Sequence, residues 1–469
     1  MKAFGVFVVF AATASLGVSP PSAVAETMSS ALALAYTSNP EVNRERANVR
    51  VQDEDTPKAW GGLRPNASIE ASVGSQDSNI RIPVRVPMTN VRIPITDDYV
   101  GYPRGGTFKA SQTLFDGGRT FNSVRQAEAG VFASRAVMRQ TEQATLQNGA
   151  TAYMNVLRDT AILSLRKNHI TVLEIQLDHT RQFFKAGDVT STDVAQAEAA
   201  LAQARSEYFA AQAYLKNSIS DYHQIMGVDP KHLEPAASVE RLLPKSVDQA
   251  IAVAIAEHPG VVAAKHQADA SEFAVHVAEG ALSPTVALEA EVQQQYDSFL
   301  GLPGSRQFAA GARATLKIPL YQAGTEYASI RQEKEKLGRS RLTVDVQRNS
   351  VRSSVVSSYG RLESVRSQIV SDQAAVNAAE SALRGVRQEA QVGQRTTLDV
   401  LNAQQSLLNA RVNLLISQRD RVVASYAALA AIGRLSAESL KLNVATYDPT
   451  IHFEQVKDKW FGVDIDRAK

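Results

Sequence analysis

Residues 153–184 read YMNVLRDTAILSLRKNHITVLEIQLDHTRQFF, and within them Val156, Leu163, Ile170, Leu177 and Phe184 recur at every seventh position. On a helix of about 3.6 residues per turn, a seven-residue apolar repeat drifts around the axis, so such helices supercoil about neighbours instead of resting on a globular core. The surrounding residues 119–185 contain no proline, and a helix of that length would run roughly 100 Å. That is too long for a compact domain and implies a rod. The same seam returns in Leu362, Ile369, Val376, Leu383 and Ala390. It continues on the following helices in Val194, Leu201, Tyr208, Leu215 and Tyr222, and in Leu401, Leu408, Leu415, Val422 and Leu429.

The recurrence reflects a tandem duplication. At an offset of 206, Gly118 matches Gly324, Tyr153 Tyr359, Gly187 Gly393, Asp193 Asp399 and Gly227 Gly433. Earlier residues match at 219: Pro40 with Pro259, Pro65 with Pro284, Glu70 with Glu289 and Val73 with Val292. The first copy therefore holds 13 extra residues between Val73 and Gly118, the difference between the two offsets. They fall around residues 81–95, where the density of Pro and Arg predicts a long exposed loop. Each copy reads as a leading helix (27–60, 247–282), a long helix (119–185, 324–391) and a returning helix (190–226, 396–432). Two short helices stacked end to end would match one long helix and complete a two-layered rod.

Residues 1–25 have the three-part pattern of a secretory leader: Lys2, an apolar run over 3–16, and the small residues Ala23, Val24 and Ala25 before a cut at Glu26. The chain has no cysteine, so neither a disulfide nor a lipid-bearing N-terminal cysteine is available. No later segment offers about 18 consecutive apolar residues, so any membrane crossing falls to strands.

Between the leading and long helices of each copy the apolar period switches to two. Val286, Leu288, Ala290 and Val292 oppose Glu289, Glu291 and Gln293, while Phe308, Ala310, Ala312, Ala314, Leu316 and Ile318 oppose Gln307, Arg313, Thr315 and Lys317. In the first copy Ala67, Ile69, Ala71 and Val73 oppose Ser68, Glu70 and Ser72, and Phe108, Ala110 and Leu114 oppose Lys109, Ser111 and Thr113. Four strands of about 9–12 residues suit a tilted bilayer crossing. They cannot close a barrel alone, and an open edge in lipid would leave backbone groups unpaired at several kcal/mol each, so the barrel must be shared between chains.

This order of elements resembles the TolC-like outer-membrane efflux family. The match rests on SNP at 38–40, EHP at 257–259, QTLFDGG at 112–118, PLYQAG at 319–324 and above all VGQRTTLDVLNAQ at 392–404, which is similar to the family's signature at a periplasmic helical tip. The resemblance covers residues 26–440. It implies a mainly α fold with membrane β-structure: a homotrimer whose long coiled coils form an α-helical barrel joined to a 12-stranded β-barrel in the outer-membrane lipid, four strands per chain. The division is then a signal peptide (1–25), a first repeat (26–228), a linker (229–246), a second repeat (247–433) and a C-terminal segment (434–469) near the tunnel equator. The implied function is a passive exit duct of a multidrug efflux or type I secretion system. It would open on docking a periplasmic adaptor protein and an inner-membrane transporter.

Gly187 and Gly393 can take the positive φ that turns one antiparallel helix into the next, and Thr190 and Thr396 can cap the helices that follow. By resemblance these are the adaptor-docking tips. Arg395 is similar to a gate arginine with Asp193 as its carboxylate partner, and Asp399 is the candidate for an acidic ring. Two positions depart from the family: a gate tyrosine is Ala390 and a second acidic ring position is Asn402, so the closed state is held by fewer bonds.

A formal net charge of +2 argues against a nucleic-acid binder. The chain lacks G-x-S-x-G, G-x-x-x-x-G-K-[ST] and H-E-x-x-H, and its 8 histidines are scattered, His258, His266 and His276 without close ligand spacing. No enzyme, cofactor or metal is therefore expected. A periplasmic coiled-coil adaptor or a structural coiled coil is the competing reading, but neither calls for two copies with paired amphipathic strands.

Overall fold

The computed structural model describes residues 26–298 and 304–464; the predicted leader at 1–25 lies outside them. The first copy runs through α1 (Met28–Ser38), α2 (Pro40–Asp53), α3 (Asp55–Trp60), β1 (Asn66–Val73), β2 (Gln76–Arg85), β3 (Arg92–Gly101), β4 (Arg104–Phe115), α4 (Arg119–Ala186) and α5 (Ser191–Met226). The second runs through α6 (Val247–Glu257), α7 (Pro259–Glu279), β5 (Thr285–Tyr296), β6 (Arg306–Lys317), α8 (Thr325–Gln391) and α9 (Thr397–Ile432), followed by α10 (Thr450–Val456). Among the described residues, no helix is long and apolar enough to cross a membrane.

The long helices α4 and α8 have 68 and 67 residues, about 100 Å each, and carry the heptad seams. Val156, Leu177, Leu201, Tyr222, Leu362, Val376, Leu383, Leu401, Leu408, Val422 and Leu429 are buried, whereas Phe184 is exposed in the single chain. The leading helices depart from the unbroken runs predicted for them. Asn39 and His258 both take extended ψ near 125° ahead of a proline, and each caps the next helix through its side chain. The cause is steric, because Pro Cδ pushes the preceding residue out of the helical region. Glu54 breaks the first leading helix again.

The largest core cluster lies midway along the rod, where α1 (Leu32, Ala35, Tyr36), α4 (Leu146, Ala150, Tyr153), α5 (Tyr222, Met226) and α9 (Val422, Tyr426, Leu429) meet. Tyr153 is fully buried there, and its hydroxyl lies 2.8 Å from Glu26 O and 2.7 Å from Glu234 O, tying the segment before α1 to the one after α5. Its repeat counterpart Tyr359 holds the linker at Pro244 O, at 3.0 Å. Burial pushes the Tyr153 hydroxyl up to about 12, so it remains a donor throughout the neutral range. Tyr153→Phe is expected to lower unfolding stability by about 1–3 kcal/mol by stranding buried carbonyls. A urea midpoint equal to that of the parent chain would show that this clasp contributes nothing to stability.

Residues 434–464 form a strap back along the leading helices. Tyr447 N donates to the Tyr36 hydroxyl at 3.0 Å, and the Arg46 guanidinium lies 4.5 Å from the Tyr36 ring and 5.4 Å from the Tyr447 ring. His452 Nδ1 is 2.9 Å from Asp53 Oδ2, both buried, and Arg64 donates to Lys459 O at 2.8 Å. The strap carries Trp460 to the rod–sheet junction, where Trp60 also stacks edge-on against Phe121 at 5.7 Å. These are the two tryptophans of the chain.

The sheet has the order β1-β4-β5-β6, antiparallel throughout. Ile69, Phe108, Val292 and Ala310 occupy one row, and Ala67, Ala110, Ala290 and Ala312 another, so one face is apolar across all four strands. The other face pairs Lys109 with Glu70 at 3.9 Å and Arg313 with Glu289 at 2.7 Å. Leu114 departs from the predicted alternation: a bulge between Thr113 and Phe115 gives Phe115, not Leu114, the place opposite Val286. Among the described residues, the outer strands β1 and β6 have no neighbour on their far sides.

The region predicted as a long loop is a second ladder, β2 paired with β3. Its prolines misled the reading because Pro83 lies directly opposite Pro94. In a two-stranded ribbon alternate N–H groups point away from the partner strand, so a proline pair there costs no ladder bond.

Candidate functional site at the helical tips

Both helical turns are built alike. Gly187 has φ 89°, its N–H bonds to Phe184 O, and Asp188 N bonds to Phe183 O at 2.9 Å. Gly393 has φ 76°, its N–H bonds to Ala390 O, and Gln394 N bonds to Glu389 O at 2.9 Å. Positive φ is costly for any residue with a Cβ, which is why the turns need glycine.

Three residues after each glycine, Thr190 and Thr396 are extended and open α5 and α9 with capping boxes. Thr190 N and Oγ1 both donate to Asp193 Oδ2, at 2.9 and 2.7 Å, and Asp193 N donates back to Thr190 Oγ1 at 3.3 Å. In the second tip Asp399 Oδ2 accepts from Thr396 N and Oγ1 at 3.0 and 2.9 Å. The Thr190 side-chain and backbone bonds hold the Asp193 carboxyl below its usual range, and the Thr396 backbone and side-chain bonds do the same for Asp399. Both aspartates thus remain anionic while each fixes the start of a helix.

Arg395 bonds within its own tip: its Nε is 2.8 Å from Glu389 Oε2. That bond, and after it the charges of Glu389 and Asp399, hold the guanidinium charge more firmly. Within the single chain, Arg395 is therefore joined to Glu389, and Asp193 is engaged with Thr190. Glu389 escaped the sequence reading; the available signal was its place one helical turn before Gly393, with Arg395 just beyond the turn. At the 206 offset its counterpart is Phe183, and that of Arg395 is Val189. One tip is charged where the other is apolar, with Phe183 and Phe184 exposed. Ala390 is half-buried and Asn402 exposed. The two tips lie side by side at one end, since Leu401 of α9 packs with Leu173, Leu177 and Ala197 of the first hairpin.

A sheet with one apolar and one charged face, continued by helices of about 100 Å that end in capped tips, defines a channel protein: a membrane pore prolonged by a helical duct. The sequence profile of the outer membrane efflux protein family matches residues 33–228 and 250–434. The chain belongs to that family. It is 40% identical over 443 residues to the outer membrane efflux protein BepC of Brucella suis biovar 1 (strain 1330), covering 94% of this chain and 92% of BepC. It is 27% identical over 422 residues to the outer membrane protein TolC of Escherichia coli (strain K12), covering 84% and 81% of the two chains. Its fold is similar to the crystal structure of VceC from Vibrio cholerae, with a TM-score of 0.71 at 18% identity over 87% of this chain and 96% of that one. The protein is a non-enzymatic outer-membrane exit duct for an efflux or secretion system.

Proposed function

We propose that the duct is a homotrimer in which three four-stranded sheets close a twelve-stranded barrel in the outer-membrane lipid. The observation that carries this is the pair of edges on β1 and β6 that are open among the described residues, flanking a sheet with an apolar face. Backbone groups along those edges need strands from other copies once water is excluded. The helices of the two repeats, 26–228 and 247–433, then form the tunnel wall, and the tips form its periplasmic entrance.

In this reading Arg395, Asp193 and Asp399 close the entrance, Asp399 as an acidic ring and Asp193 as the acceptor for an Arg395 of a neighbouring protomer. A carboxylate repeated by threefold symmetry concentrates cations in a narrow passage. The turns at Gly187, Thr190, Gly393 and Thr396 receive a periplasmic adaptor, and an inner-membrane transporter supplies the energy. Exposed Phe183 and Phe184 support an apolar docking contact at the first tip.

Outer-membrane extracts run unheated and boiled on denaturing gels test the assembly. A heat-labile band at three times the monomer mass is expected. A monomer in the periplasmic extract overturns the reading.

A further inference from the structure

The β2–β3 ribbon is a direct continuation of the membrane sheet. β1 pairs with β4 from Asn66 opposite Ser111 to Val73 opposite Arg104, and β2 pairs with β3 from Gln76 opposite Gly101 to Arg85 opposite Arg92, in the same register. Gly74 N donates to Pro103 O at 2.9 Å across the junction, so the register is not reset between them. Side chains along the ribbon can therefore be assigned to the two faces of the sheet below it.

The polarity of the two faces is reversed in the ribbon. The register side that carries Ala67, Ile69, Val73 and Phe108 in the sheet carries Arg81, Pro83, Arg85, Arg92, Pro94 and Thr96 in the ribbon. The register side that carries Glu70 and Lys109 in the sheet carries Ile82, Val84, Ile93 and Ile95 in the ribbon. Ile82 lies opposite Ile95 and Val84 opposite Ile93, giving two stacked apolar pairs. They are 44, 55, 43 and 52% exposed, in the order Ile82, Ile95, Val84, Ile93. A two-stranded ribbon has no second layer of its own and is marginal in water, so this apolar side needs cover.

We propose that the cover is the same ribbon of neighbouring copies: the isoleucine–valine faces pack on one another above the pore mouth as an extracellular collar. The proposal rests on the trimeric reading. The ribbon grows from β1, the edge strand where one copy would meet the next, so the collar continues that interface upward. The lipid bilayer is the less suitable cover, because the register side in line with the bilayer is the one bearing the arginines. Charge permits the assembly: residues 76–101 hold Arg81, Arg85 and Arg92 against Asp77, Asp97 and Asp98, and so carry no net charge.

The chain has no cysteine, so a single introduced thiol cannot pair within its own chain, and a disulfide to another copy is recognised by a band at twice the monomer mass. Ile95→Cys and Val84→Cys place it on the apolar face, and Thr96→Cys on the opposite one. Oxidation of the full assembly in membranes with copper phenanthroline is expected to convert most of the I95C and V84C protein to disulfide-linked dimers on non-reducing gels, with the T96C protein remaining monomeric. An intact heat-labile trimer without apolar-face dimers overturns the collar and leaves the trimer standing. Equal cross-linking of T96C also overturns it, as does quenching, by nitroxide-labelled lipid chains, of a fluorophore attached to the thiol of the I95C protein. Loss of the trimer band from the unmodified chain overturns the trimeric reading itself.

Discussion

Alanine in place of Arg395 is expected to raise single-channel conductance in planar bilayers on the order of severalfold, since the narrowest charged stretch of a pore sets its conductance. Arg395 lies between Glu389, at 2.8 Å, and the charge of Asp399, and it is half exposed at the end of the rod. Its removal leaves Glu389 and Asp399 without their nearest cation and frees the turn that follows Gly393. The capping box of α9 does not involve Arg395, so the helices should keep their length and the assembly its thermal stability. Companion variants divide the cause. A rise reproduced by Glu389→Gln assigns the closure to the tip of a single protomer. A rise reproduced by Asp193→Asn alone assigns it to a bond between protomers. Unchanged conductance in Arg395→Ala would sink the gate assignment.

The parts of the fold that were legible are those with a period. Heptad seams over tens of residues survive local noise, and the Gly187 and Gly393 turns follow from backbone sterics. Alternation made the four sheet strands readable because each gathers its apolar residues on one face. The β2–β3 ribbon was missed since Pro83 and Pro94 carry a local signal for a loop, and their harmless register is a property of the pair. The strap was missed for another reason: residues 434–464 have no period, and contacts such as Tyr447 with Tyr36 join positions 411 apart. At the tips, spacing showed the glycines, threonines and aspartates. It did not show that the aspartates are first of all helix caps, nor that Arg395 would find Glu389 before Asp193.

Gly433→Ala should be strongly destabilising, while the matching change at Gly227 should be much milder. Both glycines end a returning helix, with φ 88° at Gly433 and 78° at Gly227, so both substitutions incur the left-handed penalty of about 1–2 kcal/mol. The surroundings differ. A Cβ on Gly227 meets nothing within 4 Å, whereas one on Gly433 would lie 2.6 Å from His258 Cα and 3.1 Å from Pro259 Cδ. The origin of the difference is the residue before each leading-helix proline. In the first copy Asn39 reaches across to Ile225 O at 3.0 Å, so a side chain bridges the helix end. In the second copy the backbone at His258 comes up against Gly433 itself, and Arg434 locks the approach with two 2.8 Å bonds to Glu257. Backbone cannot swing aside as a rotamer can, so overpacking adds about 1–3 kcal/mol to the φ penalty. Thermal unfolding of the purified assemblies should therefore place Gly433→Ala well below Gly227→Ala. Equal losses would mean that the close approach at His258 carries no weight, and that the two copies end their helices in energetically equivalent ways despite their different locks.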